Sequence, residues 1–121
     1  MRSEILADAG RAPRVEVRLS GAFAVIRDGA ELADAQIGSR KSRLLLKLLS
    51  VSRPALVSTD QIAEVLWDGA PPAGADRNIA SLISRLRAVL GASVIQGGRT
   101  GYRLGDETAV SVDLEIGKAH V

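Results

Sequence analysis

The sequence predicts an α+β domain in which strands come first, three helices follow and a β-hairpin closes the fold. Three observations predict that order: strict apolar/polar alternation over residues 14–20, apolar residues at helical spacing in three segments between residues 39 and 91, and strand patterns resuming after Gly91. A chain of 121 residues is the length of one domain with a real core and little space for a second.

The elements follow in order. RVEVRLS places Val15, Val17 and Leu19 on one face and Arg14, Glu16 and Arg18 on the other, the pattern of a half-buried strand. After Gly21, AFAVIR continues in β-type residues to Asp28-Gly29, a strong hairpin signal, and AELAD is expected to return as a strand. Ser39 is the expected N-cap of RKSRLLLKLLSVS, where Leu44, Leu45, Leu48 and Leu49 form the apolar stripe and Pro54 prevents continuation. Ser58 and Gln61 have capping-box spacing, with Ile62, Val65 and Leu66 as the stripe of a short second helix ending near Trp67. The prolines and glycines of DGAPPAGA break it. Asp76 is the expected cap of a third helix, whose Ile79, Leu82, Ile83, Leu86 and Leu90 share one face at about 100° per residue until Gly91 stops it. SVIQ, the turn GGRTG and YRL then read as a hairpin, followed by a weaker strand, VSVDL.

Catalysis finds little support. There is no cysteine, so disulfides, thiolate nucleophiles and the usual structural zinc sites are excluded, and the one histidine, His120, is next to last. Asp60 and Glu64 share a helix face and Asp113 and Glu115 a strand face, but such pairs without a third ligand read as solvated surface. GGRTG looks like a phosphate loop yet runs into a strand rather than a helix, so it reads as a hairpin tip. No cofactor is expected. No apolar run reaches the roughly 18 residues of a membrane span. The N-terminus carries Glu4 and Asp8 where a signal peptide is apolar, and a cytoplasmic location is therefore expected.

Net charge is only +2, so its distribution is more telling. Residues 35–59 hold Arg40, Lys41, Arg43, Lys47 and Arg53 without an acid, and residues 77–105 hold Arg77, Arg85, Arg87, Arg99 and Arg103, again unopposed. The face of the third helix opposite its apolar stripe carries Arg77, Ser81, Ser84, Arg85 and Ala88, flanked by Asn78 and Arg87. Small residues in the middle permit close approach to a groove floor, and arginines at the edges reach bases and phosphates. A helix that is merely soluble would mix glutamate with lysine there.

The combination of STDQIAEVLW, a Pro-rich loop, NIASLISRLRAVLG and TGYRL resembles the OmpR/PhoB-type winged-helix DNA-binding domain. It is most similar to the version at the N-terminus of the Streptomyces antibiotic regulatory proteins. The resemblance covers about Val15 to Leu114. It implies a recognition helix over 76–90 and a wing over 94–104, with Arg85 at the position that reaches base edges and Arg87 at a phosphate-binding position. Arg77, Asn78, Ser81 and Ser84 are the candidates for the remaining base or backbone contacts, while Trp67 and Tyr102 match packing positions. The family's minor-groove arginine usually sits where this chain has Gly98; here it is Arg99, which a flexible Gly97-Gly98 pair would help to reach the groove.

Phosphate contacts are also expected at two helix starts, from Arg40, Lys41 and Arg43 beside the first and from Ser58 and Thr59 at the second. The expected activity is sequence-specific binding of double-stranded DNA in bacterial transcription regulation, without catalysis. The resemblance further implies head-to-tail pairs on direct repeats and contact of the Asp68–Ala75 loop with RNA polymerase. A rival expectation is a protein-interaction module that uses the same fold. The expected layout is a tail over 1–13, the domain over 14–114, and a tail or the start of a downstream domain over 115–121.

Overall fold

The computed structural model describes residues 14–19 and 21–105, and the backbone of 110–113. Three short strands open it: β1 (Val15–Arg18), β2 (Ala24–Arg27) and β3 (Ala30–Glu31). β1 and β2 pair antiparallel from Val15↔Arg27 to Arg18↔Ala24, and β2 pairs β3 across Asp28-Gly29. Val15 and Val17 are buried while Arg18 is exposed, so the alternation read from the sequence is the real division between core and solvent. The chain returns to this sheet at its end, where β7 (Val110–Asp113) lies parallel to β1, giving the order β3-β2-β1-β7. The rest of VSVDL, Leu114, lies outside the described residues, as do the two expected tails.

The expected return strand stops at Glu31, and one turn of helix follows instead, α1 (Asp34–Ile37). Its signals are local: Gln36 Oε1 accepts from the Ala33 amide at 2.8 Å, Asp34 sits in the first turn, and Gly38 ends the turn at φ 111°. Ile37 anchors it in the core.

Helix α2 (Arg40–Ser52) starts at Ser39, whose Oγ accepts from the Ser42 amide at 3.2 Å, as expected of an N-cap. Its buried stripe is Leu45, Leu46 and Leu49, with Leu44 and Leu48 half-buried at its edges, one position round from the expected face. Strand β4 (Val57–Ser58) leads into α3 (Thr59–Leu66), where the predicted capping box is present: Ser58 Oγ accepts from the Gln61 amide at 3.1 Å, and Gln61 Oε1 accepts from the Ser58 amide at 3.3 Å. Ile62 and Leu66 are buried, but Val65 is 40% exposed. The exposed loop after Trp67 turns at Asp68 (φ 53°) and Gly69 (φ 86°) into α4 (Ala75–Leu90).

The cap of α4 differs from expectation. Gly74 is the N-cap and makes no side-chain bond, while Asp76 lies within the first turn, where its charge still favours the positive helix end. Ile79, Leu82, Ile83, Leu86 and Leu90 are all buried, at about 1.5–3 kcal/mol of transfer free energy per large side chain. Helix α4 packs on α3, α2 and α1, and a second sheet packs on the helices, with β6 against α2 and β5 against α4. That sheet has the order β4-β6-β5, from β5 (Ile95–Gly98) and β6 (Gly101–Leu104).

Candidate nucleic-acid interface

Two exposed regions are neighbours, the outer face of α4 and the tip of the β5–β6 hairpin, since α4 packs on β5. On α4, Arg77, Asn78, Ser81, Ser84, Arg85 and Ala88 are all exposed, because the five buried residues turn this face outward. Neither the Arg77 nor the Arg85 side chain has a hydrogen-bond or ion-pair partner among the described residues. Among the described residues, the ion pairs Arg18–Glu16 (2.9 Å) and Arg27–Asp28 (3.9 Å) involve only β1, β2 and the turn after β2. The face therefore keeps two unpaired guanidinium groups beside a centre of Ser and Ala.

Arg87 is different. It is half-buried; its Nε donates to the Ile95 carbonyl at 3.0 Å, one terminal nitrogen donates to the Gly97 carbonyl at 3.2 Å, and its guanidinium lies 5.8 Å from the Tyr102 ring centre. Two of its N–H groups are thus committed to β5, and it braces the wing against α4. Tyr102 is buried beneath it, the packing role expected from sequence. Trp67 is only half-buried, with the Lys41 ammonium 5.6 Å from its ring centre.

The two helix starts divide as well. Arg40 and Lys41 are exposed at the head of α2, whereas Arg43 turns back and donates to the Gly38 carbonyl at 2.9 Å, tying α2 to α1. At α3, Ser58 is occupied by the capping box, and Thr59 is buried with both its donors engaged: Oγ1 to the Arg99 carbonyl at 2.7 Å and the amide to the Thr100 carbonyl at 3.1 Å. The Ser58 and Thr59 amides expected to face a phosphate are in fact bonded inside the fold.

Arg99 stands exposed at the hairpin tip. The two glycines before it differ in their surroundings. Gly97 is held at φ 120°, and a Cβ there would collide with the Gly101 carbonyl oxygen and lie 2.8 Å from Tyr102 Cα; only Gly98 has open space. Sequence reading also missed Arg27, which donates to the Val89 carbonyl at 2.7 Å and places a cation at the C-terminal end of α4. No local pattern signals it, since 62 residues separate the two. Among the described residues no group of three His, Asp or Glu is placed to hold a metal, and no helix is long and apolar enough to cross a membrane.

Comparison with known proteins matches this architecture. A family model described as "Transcriptional regulatory protein, C terminal" matches residues 36–104, from α1 to the end of β6. The chain is 32% identical over 97 residues to the transcriptional regulatory protein EmbR of Mycobacterium tuberculosis, covering 75% of this chain and 24% of that protein. It is 29% identical over 120 residues to the transcriptional regulatory protein MoaR1 of the same organism, covering 93% of this chain and 37% of that protein. The structure of M. tuberculosis EmbR in complex with a low-affinity phosphopeptide superposes with a TM-score of 0.69 at 30% identity, over 81% of this chain and 27% of that one. The chain thus spans about a quarter to just over a third of these relatives. With its α3–loop–α4 unit, its β5–β6 wing and the match over residues 36–104, this chain belongs to the transcriptional regulatory protein C-terminal family, the OmpR/PhoB-type winged helices.

Proposed function

We propose that this domain binds double-stranded DNA sequence-specifically, with α4 in the major groove and the β5–β6 wing along the adjacent minor groove. The observation that carries this reading is the outer face of α4: Ser81, Ser84 and Ala88 leave its centre low, and Arg77 and Arg85 flank it with no side-chain partner among the described residues. A side chain free of bonds in the fold loses none when it docks on a base. Arg85 is the base reader in this proposal, since a guanidinium can bond guanine O6 and N7 together. Arg77, Asn78, Ser81 and Ser84 supply the other contacts. Arg40 and Lys41 bind phosphate at the head of α2, and Arg99 enters the minor groove. Arg87 serves by holding the wing, and Ser58 by capping α3. Two copies on direct repeats, contact of the Asp68–Ala75 loop with RNA polymerase, and action in the cytoplasm complete the proposal; the first two rest on the family resemblance and the third on Glu4 and Asp8 near the N-terminus.

Selection of duplexes from a random pool by the purified chain tests the reading directly. A recurrent site whose affinity falls with salt is expected. Arg85→Ala should then weaken binding to that site by about 1–3 kcal/mol and relax the preference at one base position. Equal loss on selected and random DNA would overturn the base-reading role. Absence of duplex binding at low salt would favour the rival protein-interaction module.

A further inference from the structure

The wing tip is a two-residue loop, Arg99-Thr100, between the paired Gly98 and Gly101. Two-residue hairpins favour turns in which the first loop residue has positive φ, because those turns follow the natural twist of the strands. Among the described non-glycine residues, only Asp28 and Asp68 have positive φ, so the wing tip uses no such turn. The left-handed conformation is displaced into the strand, at Gly97.

A tip of this kind does not hold itself, and here it is held from outside. The two donors of Thr59 engage the carbonyls of both tip residues, Arg99 at 2.7 Å and Thr100 at 3.1 Å. Next to this bond, β4 lies so close to β6 that a Cβ on Gly101 would be 2.6 Å from the Val57 carbonyl oxygen. Residue 59 is thus the first residue of α3, and through 40 residues of sequence separation it fixes the backbone from which the Arg99 side chain leaves. That side chain is exposed and has no partner of its own among the described residues.

We infer that Thr59 is a positioning residue for DNA recognition: it touches no DNA, but its hydroxyl locks the wing tip so that Arg99 is presented to the minor groove. The inference rests on the DNA-binding reading above. Its physical content is preorganisation, since an arginine on a fixed backbone has less freedom to lose on docking.

A double-mutant cycle tests it with the intact chain and a duplex carrying the site that the wild type selects from random DNA. Thr59→Val keeps the shape and removes the donor; it should weaken binding roughly three- to tenfold, and Thr59→Ser should restore most of that loss. In an Arg99→Ala background, Thr59→Val should change affinity by less than about twofold, because its route to the DNA is already gone. Equal fold-losses in the two backgrounds, failure of serine to restore binding, or an Arg99→Ala variant that binds like the wild type would each overturn the inference while leaving DNA binding intact. Failure of the wild type to bind any duplex would remove the functional reading itself. Should Thr59→Val not fold, 15N relaxation of the wild type decides: tip amides at 99 and 100 as rigid as a strand, with order parameters near ~0.85, are expected, and values below about 0.6 would overturn the lock.

Discussion

The two tight hairpins of this domain have loops of the same length and are built on opposite principles. Between β2 and β3, Asp28 and Gly29 adopt φ 51° and 87°, the double left-handed geometry of a turn that follows strand twist. Between β5 and β6, the tip holds Arg99 and Thr100, neither of which favours that geometry, and the hairpin relies on Gly97 within the strand and on Thr59 from another element. The first turn is closed by its own residues. The second presents an exposed arginine at its tip, and its closure is moved to Gly97 and Thr59. Asp28 does add two bonds to Arg14, its Oδ1 accepting from the Arg14 amide at 2.9 Å and its own amide donating to the Arg14 carbonyl at 2.7 Å, but the positive φ of the turn comes from the two loop residues themselves.

Substitutions at three glycines sharpen this contrast, with stability read from urea unfolding. Gly97→Ala should be the most damaging, because it combines positive φ with a collision against backbone atoms that cannot rotate away; a loss of about 2–4 kcal/mol is expected, with the wing displaced. Gly29→Ala should cost less, about 1–2 kcal/mol, since the space around it is open and only the φ of 87° is unfavourable. Its effect should stay in the first sheet, leaving amide shifts of β5 and β6 unchanged. Gly98→Ala should be smallest, within about 1 kcal/mol and of either sign, because there is open space and no positive φ. If Gly98→Ala proved as damaging as Gly97→Ala, the wing would depend on a flexible pair after all, and the distinction between a packed and an open glycine would fail.

The same division separates what could be read along the chain from what could not. The buried stripe of α4 was legible because helical burial repeats every 3.6 residues, and all five predicted positions are buried. The exposed arginines Arg77 and Arg85 followed from that stripe by subtraction. The caps at Ser39 and Ser58 were legible because a cap bonds an amide only three residues away. Helix α1 was missed because a single turn leaves too few residues for a period to register, and Val65 was misassigned because a short helix can be amphipathic yet have nothing packed along one edge.

What the order of residues determined, then, is everything that depends on neighbours within about one turn of helix or one pair of strands: the element order, the stripe of α4, the capping box and the Asp28-Gly29 turn. The packed fold decided which basic and polar side chains are still free to meet a partner. Arg87 and Thr59 look as available in the sequence as Arg85 and Ser81, but each finds carbonyl acceptors on the wing, which only folding brings within 3.2 Å, while Arg43, unlike Arg40, turns back to the Gly38 carbonyl five residues away. A hydrogen bond is short-ranged and indifferent to sequence separation, so the donors it removes from the surface are visible only once the core has set the distances.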